Sequence, residues 1–303
     1  MHECRPAPGL AGEEFRMTTS ISGEAGASPA PRRRHFIRRH SLTVRLTHWL
    51  NVVCLAMLLL SGLQIFNAHS RLYWGKYGAD ADYAFFAIGS EQQSDVLRGF
   101  LHIGSLRIET TGFLGVSQED GSATARAFPT WLTLPSYHDL GAGRRWHFSF
   151  AWLLVSNGLI YLLDGLFRGH FRRDLVPGRD QLAPRHLWHE VLQHARLRFA
   201  HGEEARRYNA LQKLSYLAVV FGLLPLMVLT GLTMSPGIDA AFPFLPGLFG
   251  GRPSARSLHF ITASLLVTFV VVHVVMVVVS GLWNNLRSMI TGRYAIADEG
   301  EQP

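Results

Sequence analysis

Cysteine is almost missing from this chain of 303 residues: there are two, Cys4 close to the amino terminus and Cys54 inside a hydrophobic run. They are badly placed to meet, which excludes a disulfide framework and a cysteine-ligated metal site. Charge is scarce as well, at 17% of residues against about 25% in an ordinary soluble domain. No apolar stretch comes before residue 43, so no cleaved secretory signal is read. No internal repeat stands out. Residues 1–40, rich in Ala, Pro, Gly, Glu and Arg, hold no apolar core and are expected to form a disordered tail.

What the chain does have is hydrophobic length. Its apolar residues, 48% of the total, gather in four blocks at 43–66, 146–167, 211–233 and 256–283, each long enough to cross a bilayer as a helix. The expected fold class is all-α: an integral membrane four-helix bundle over 41–293, followed by a tail at 294–303. A long connection, 67–145, joins the first two spans. A connection of that length usually has a function or a small structure of its own, and it is read here as a docking surface over one end of the bundle. Pro225 in the third span is a kink that a bundle tolerates. Asp164, near the end of the second, is expected to snorkel or to pair with an arginine.

The net charge of +7 could mean nucleic acid or an anionic surface. The arginines flank the spans, however, which favours membrane lipid as the partner over nucleic acid. Arg32, Arg33, Arg34, Arg38, Arg39 and Arg45 precede or open the first span, and nine more fall within 168–208, whereas the loop after the third span offers only Arg252 and Arg256. By the positive-inside rule both termini are then cytoplasmic and the 67–145 connection is periplasmic.

Of fifteen histidines, four lie in or at the edge of spans: His48, His147, His259 and His273. Ionisable groups at such depth are costly and commonly functional. His259 and His273 share one helix fourteen residues apart, almost four turns, so they point the same way about 21 Å apart along the axis. The alternation of helix direction places His48 and His273 at the cytoplasmic level, and His147 and His259 at the periplasmic level. Two imidazoles per level are too few for tetrahedral zinc, and four matched in depth are hard to assign to helix-to-helix hydrogen bonds alone. Two bis-histidine haems fit, with both axial positions filled and electron transfer as the consequence. Arg45, Arg144 and Arg145 are candidates to pair with haem propionates, or are simply flanking anchors. In the amphipathic segment PRHLWHEVLQHARLRFAHG, His186, His189, Glu190 and His194 fit either a zinc cluster or the polar face of a membrane-surface helix.

The segments TVRLTHWLN, GRRWHFSFAW, YNALQKLSY and SARSLHFITASLLVTFVVVH carry a resemblance. The chain resembles the bacterial cytochrome b membrane subunits of nickel–iron hydrogenases, formate dehydrogenases and thiosulfate reductases over most of 40–293, with the thiosulfate reductase-like branch nearest. The resemblance implies two haem b groups in an inner-membrane subunit that anchors a peripheral catalytic redox subunit, molybdopterin-dependent or hydrogenase-like. It implies electron exchange with the quinone pool near an asparagine at the start of the third span, here Asn209, with Gln212 and Tyr208 beside it. The long connection departs from the simplest relatives. A stand-alone cytochrome that reacts with a small oxidant such as superoxide, and a haem-free transporter or anchor, are the alternatives.

Overall fold

In the computed structural model the described residues are 34–79, 82–119, 121–169, 171, 177–178, 180–195 and 210–297. Strand β1 (Arg34–Arg38) leads into α1 (Leu42–Asn67), whose N-cap Ser41 accepts a hydrogen bond from the Val44 amide. Strands β2 (Arg71–Leu72), β3 (Phe86–Gln93), β4 (Val96–Ile103), β5 (Leu106–Glu109), β6 (Gly115–Glu119) and β7 (Ser122–Arg126) follow before α2 (Leu140–Phe167), which Asp139 caps. Next come α3 (Pro184–Ala195), α4 (Ala210–Leu217), α5 (Leu224–Thr233), α6 (Pro236–Ala241), α7 (Leu245–Leu248), α8 (Arg252–Val279), α9 (Leu282–Thr291) and β8 (Arg293–Ala297).

Among the described residues four helical stretches are long and apolar enough to cross a membrane: Leu42–Asn67, Leu140–Phe167, Ala210–Thr233 and Arg252–Val279. The chain is a membrane protein built on a helical bundle. The fourth helix starts and stops four residues earlier than the hydropathy block at 256–283. The left-handed Gly281 (φ +109°) separates it from α9, whose Asn285 side chain donates back to the Val277 carbonyl and Ser280 hydroxyl. The third span is not one regular helix. A π-helical turn at Ala218–Leu223 widens it just before Pro225, which lacks an N–H to give to the preceding turn.

α1 packs along α2, and α5 along α8. The buried positions on these helices are mostly small or polar (Thr47, Ser61, Asn157, Thr230, Ser257, Thr262), which lets helix backbones approach closely in lipid. Asn157 locks α2 to α1 by donating to the Thr47 carbonyl and the Asn51 side chain at 2.8 and 2.7 Å. Asp164 pairs with Arg168 one turn on at 2.7 Å.

The connection between the first two spans is β-structure. β2, β3, β4 and β5 form one antiparallel sheet in that order, and β6 pairs with β7. The sheet sits on the end of the bundle: Leu72, Ile88 and Ala127 pack on Phe66 of α1, and Phe66 stacks on Phe260 of α8 with centroids 4.8 Å apart. Arg126, buried, is the polar pin. It donates to Gln64 of α1 at 2.7 Å, to the Thr133 hydroxyl at 2.8 Å and to the Ser136 carbonyl at 2.8 Å. Burial pulls its guanidinium below the ordinary arginine range, with Glu119 working the other way. At the opposite end β1 and β8 form a two-stranded ribbon. Residues 34–38, inside the stretch 1–40 expected to be disordered, thus pair as a strand with 293–297, at the start of the expected tail at 294–303. We call the two ends of the bundle the sheet end and the ribbon end.

Candidate functional site

The helices place the four span histidines in two facing couples. His48 (α1) faces His273 (α8) near the ribbon end with ring centroids 6.4 Å apart, and His147 (α2) faces His259 (α8) near the sheet end at 6.3 Å. A metal–imidazole bond is about 2.0 Å and the ring centre stands roughly 1.15 Å behind its nitrogen, so two imidazoles in line across one metal have centroids about 6.3 Å apart. Both couples have that separation. Among the described residues no cluster of three or more metal-ligating side chains occurs. A metal between either pair would thus need to bring its remaining ligands with it, as a metal held in a flat macrocycle does.

One cavity of about 2600 Å³ runs past both couples, walled by residues from all four spans. A pocket for one small ligand is roughly 300–1,000 Å³, so this space suits more than one large planar group. Its walls are mostly aliphatic, Leu55, Val155, Val228 and Leu266 among them.

The sheet-end couple has a support that sequence reasoning missed. The Ser61 hydroxyl lies 3.1 Å from His147 Nδ1, and the Thr230 hydroxyl 3.0 Å from His259 Nδ1. Each hydroxyl gives its single proton to the carbonyl one helical turn back, Met57 or Leu226, both at 2.6 Å. The hydroxyl oxygen can then only accept from the ring, which puts the proton on Nδ1 and leaves Nε2 free to bind a metal. Beside each hydroxyl is a glycine, Gly62 or Gly231. A Cβ at either would come within 3.3 Å of the histidine Cε1. The signal was legible: Leu60-Ser61-Gly62-Leu63 in the first span recurs as Leu229-Thr230-Gly231-Leu232 in the third. The third span has no histidine, yet it orients one. The ribbon-end rings have no such partner among the described residues; His273 instead stacks on Phe269, centroids 5.9 Å apart.

The profile described as prokaryotic cytochrome b561 matches residues 39–292. The chain belongs to the prokaryotic cytochrome b561 family. Over 238 residues it is 30% identical to the "Putative protein-methionine-sulfoxide reductase subunit YedZ1" of Azospira oryzae, an alignment that covers 78% of this chain and 89% of that relative. No solved structure matches. A b561-type membrane cytochrome binds haem b and transfers electrons, and the paired imidazoles and apolar walls fit such a group.

Of the other expected residues of this cytochrome, Arg144 lines the cavity, and so do Arg256 and Arg39, which the sequence pointed to for orientation and not as propionate partners. Arg256, over the Phe66 ring, donates to the His69 carbonyl. Arg45 and Arg145 stand outside the cavity: Arg45 donates to the Ile290 carbonyl on α9, and Arg145 is exposed. Gln212 is a wall residue; Asn209 and Tyr208 lie outside the described residues. On α3, Glu190 is taken by the start of the third span, where its carboxylate accepts from the Leu211 amide at 2.9 Å and the Ala210 amide at 3.3 Å. That is a helix cap. The side chains of His186 and His194 fall outside the described set.

Proposed function

We propose that the chain is a di-haem b-type electron-transfer subunit of the bacterial inner membrane, both termini cytoplasmic, carrying electrons between the quinone pool and a partner oxidoreductase. The observation that carries this reading is the two facing imidazole couples, with ring centroids 6.4 and 6.3 Å apart, at two levels along α8. Haem b, when bound, would supply one-electron redox chemistry.

The chain's own residues do the rest. His48 with His273, and His147 with His259, would each hold one haem. Ser61 and Thr230 fix the ring tautomer at the sheet end, and ring–ring packing holds His273 at the other. The aliphatic walls keep water from the redox path. Arg144 and Arg256 at the sheet end and Arg39 at the ribbon end are placed for the carboxylates of the cofactors. The ribbon-end wall includes Asn51, Gln212, Lys213 and Tyr216, groups that can hydrogen-bond a quinone carbonyl, so quinone exchange belongs at that end. The arginine distribution puts that end on the cytoplasmic side.

The partner is read from the relatives. The Azospira protein is named as a subunit of a reductase of oxidised methionine in proteins. The partner we infer is a reductase that docks on the β-domain over the sheet end; the sequence resemblance adds that it is molybdopterin-dependent or hydrogenase-like.

Mixing the purified protein with a quinol analogue tests this directly. The expected result is reduction of the bound b haems, seen as growth of the ferrous α-band, with slower reduction in a Gln212→Leu variant. Haem that dithionite reduces but no quinol does would overturn the quinone assignment. A preparation with no haem would leave a transporter or anchor.

A further inference from the structure

The ribbon end holds a second, smaller pocket outside the histidine cavity. In the β1–β8 ribbon, Arg38 stands directly opposite Arg293. Like charges facing across one rung weaken a strand pair, unless something negative lies between them. Arg45, in the first turn of α1, reaches the same place, and the three arginines line one pocket of about 520 Å³ with Phe36 and Thr291. Among the described residues no carboxylate is on that wall and none of the three has an ion-pair partner.

Arg45 is the telling member. It donates to the Ile290 carbonyl, while its Nε is closed off from solvent with no acceptor among the described residues. Its guanidinium is held over Gly292, which has φ +80° and where a Cβ would come within 3.3 Å of Nη1. The same Cβ would stand 3.2 Å from the His40 carbonyl oxygen, so the glycine lets the backbone and the guanidinium pack closely here. The pocket adjoins the point where α1 enters its hydrophobic span, at the depth of lipid headgroups. Planar guanidinium forks match phosphate oxygens in pairs, and basic pockets of this kind at the ends of spans take anionic headgroups.

We propose that Arg38, Arg45 and Arg293 form a binding site for a phosphate group, supplied by an anionic phospholipid headgroup or by free phosphate. The site stands apart from the haem reading and does not depend on it.

Two arms separate the sources. In the first, the full-length protein is exchanged from phosphatidylglycerol into detergent, and retained lipid is counted by native mass spectrometry, with phosphatidylcholine as the control. In the second, its thermal unfolding is followed in inorganic phosphate against chloride at equal ionic strength. Arg293→Gln removes one fork. Arg38→Glu puts opposite charges across the rung, so it should keep the ribbon while expelling the anion; size-exclusion and circular dichroism check that both variants are folded. Phosphatidylglycerol retained by the wild type and bound at least tenfold more weakly by both variants assigns a lipid. Stabilisation by phosphate in the wild type alone, without retained lipid, assigns the free anion. If neither ligand binds, or both variants bind as the wild type does, the three arginines are only flanking charge and the site does not exist.

Discussion

Thr230→Val removes one hydroxyl from the site and very little else, since Thr230 is fully buried and valine has nearly the same shape. The helical carbonyl of Leu226 loses only an extra donor. His259 Nδ1–H loses an acceptor 3.0 Å away. A buried donor left short costs about 1–3 kcal/mol. Both partners are neutral, so the lower part of that range applies, about 1–1.4 kcal/mol or roughly 5–10-fold in affinity for what His259 binds. The assay is haem loss from the purified protein to a scavenging apoprotein, followed spectrally for the two haems separately. The sheet-end haem should leave 5–10-fold more readily, roughly at the low end of the effect of removing a group that orients a metal-bound histidine. The ribbon-end haem should be unaffected and Thr230→Ser should restore retention. Wild-type retention in the valine variant, or loss from the ribbon-end haem, would refute the reasoning.

Three further outcomes are expected. Gly62→Val and Gly231→Val each push a side chain against a histidine ring already 3.3 Å from a hypothetical Cβ, so both should deplete the sheet-end haem alone in a haem assay. Arg126→Met strips charged hydrogen bonds from Gln64, Thr133 and Ser136 and should destabilise the β-domain by at least about 2 kcal/mol; limited proteolysis would then cut within 67–139 faster than in the wild type. Glu190→Ala uncaps the third span at a cost of about 1 kcal/mol, read as faster hydrogen exchange at the Ala210 and Leu211 amides; unchanged exchange would contradict the capping role.

Legibility from sequence followed how local each signal is. The spans and the fourteen-residue spacing of His259 and His273 depend on hydropathy and helical period, which a single segment states by itself. The β-domain was less visible, because β3 and β4 alternate weakly in polarity, as in FAIGSEQQ and VLRGFLHI. One of its turns was there to be read: Gly104-Ser105 is a hairpin dipeptide. The pairing of β1 with β8 joins segments some 255 positions apart in sequence, and no local pattern announces it. Ser61 and Thr230 passed unnoticed since a hydroxyl within a hydrophobic run reads as ordinary close packing. Only the rings across from them reveal the orienting role. Arg145, two residues from His147, is turned to another face of its helix, and Arg45, though three residues from His48, spends its guanidinium on the Ile290 carbonyl of α9. Arg144 and Arg256, each three residues before a histidine and so on its side of the helix, both line the cavity.

The central claim is that each histidine couple grips its own haem. It is tested most directly by haem-to-protein stoichiometry of the purified chain and of His273→Ala and His147→Ala. The account expects two haems per wild-type chain and one in each variant, the remaining haem differing spectrally between the two. One haem in the wild type, or an undiminished haem count in either variant, would contradict it.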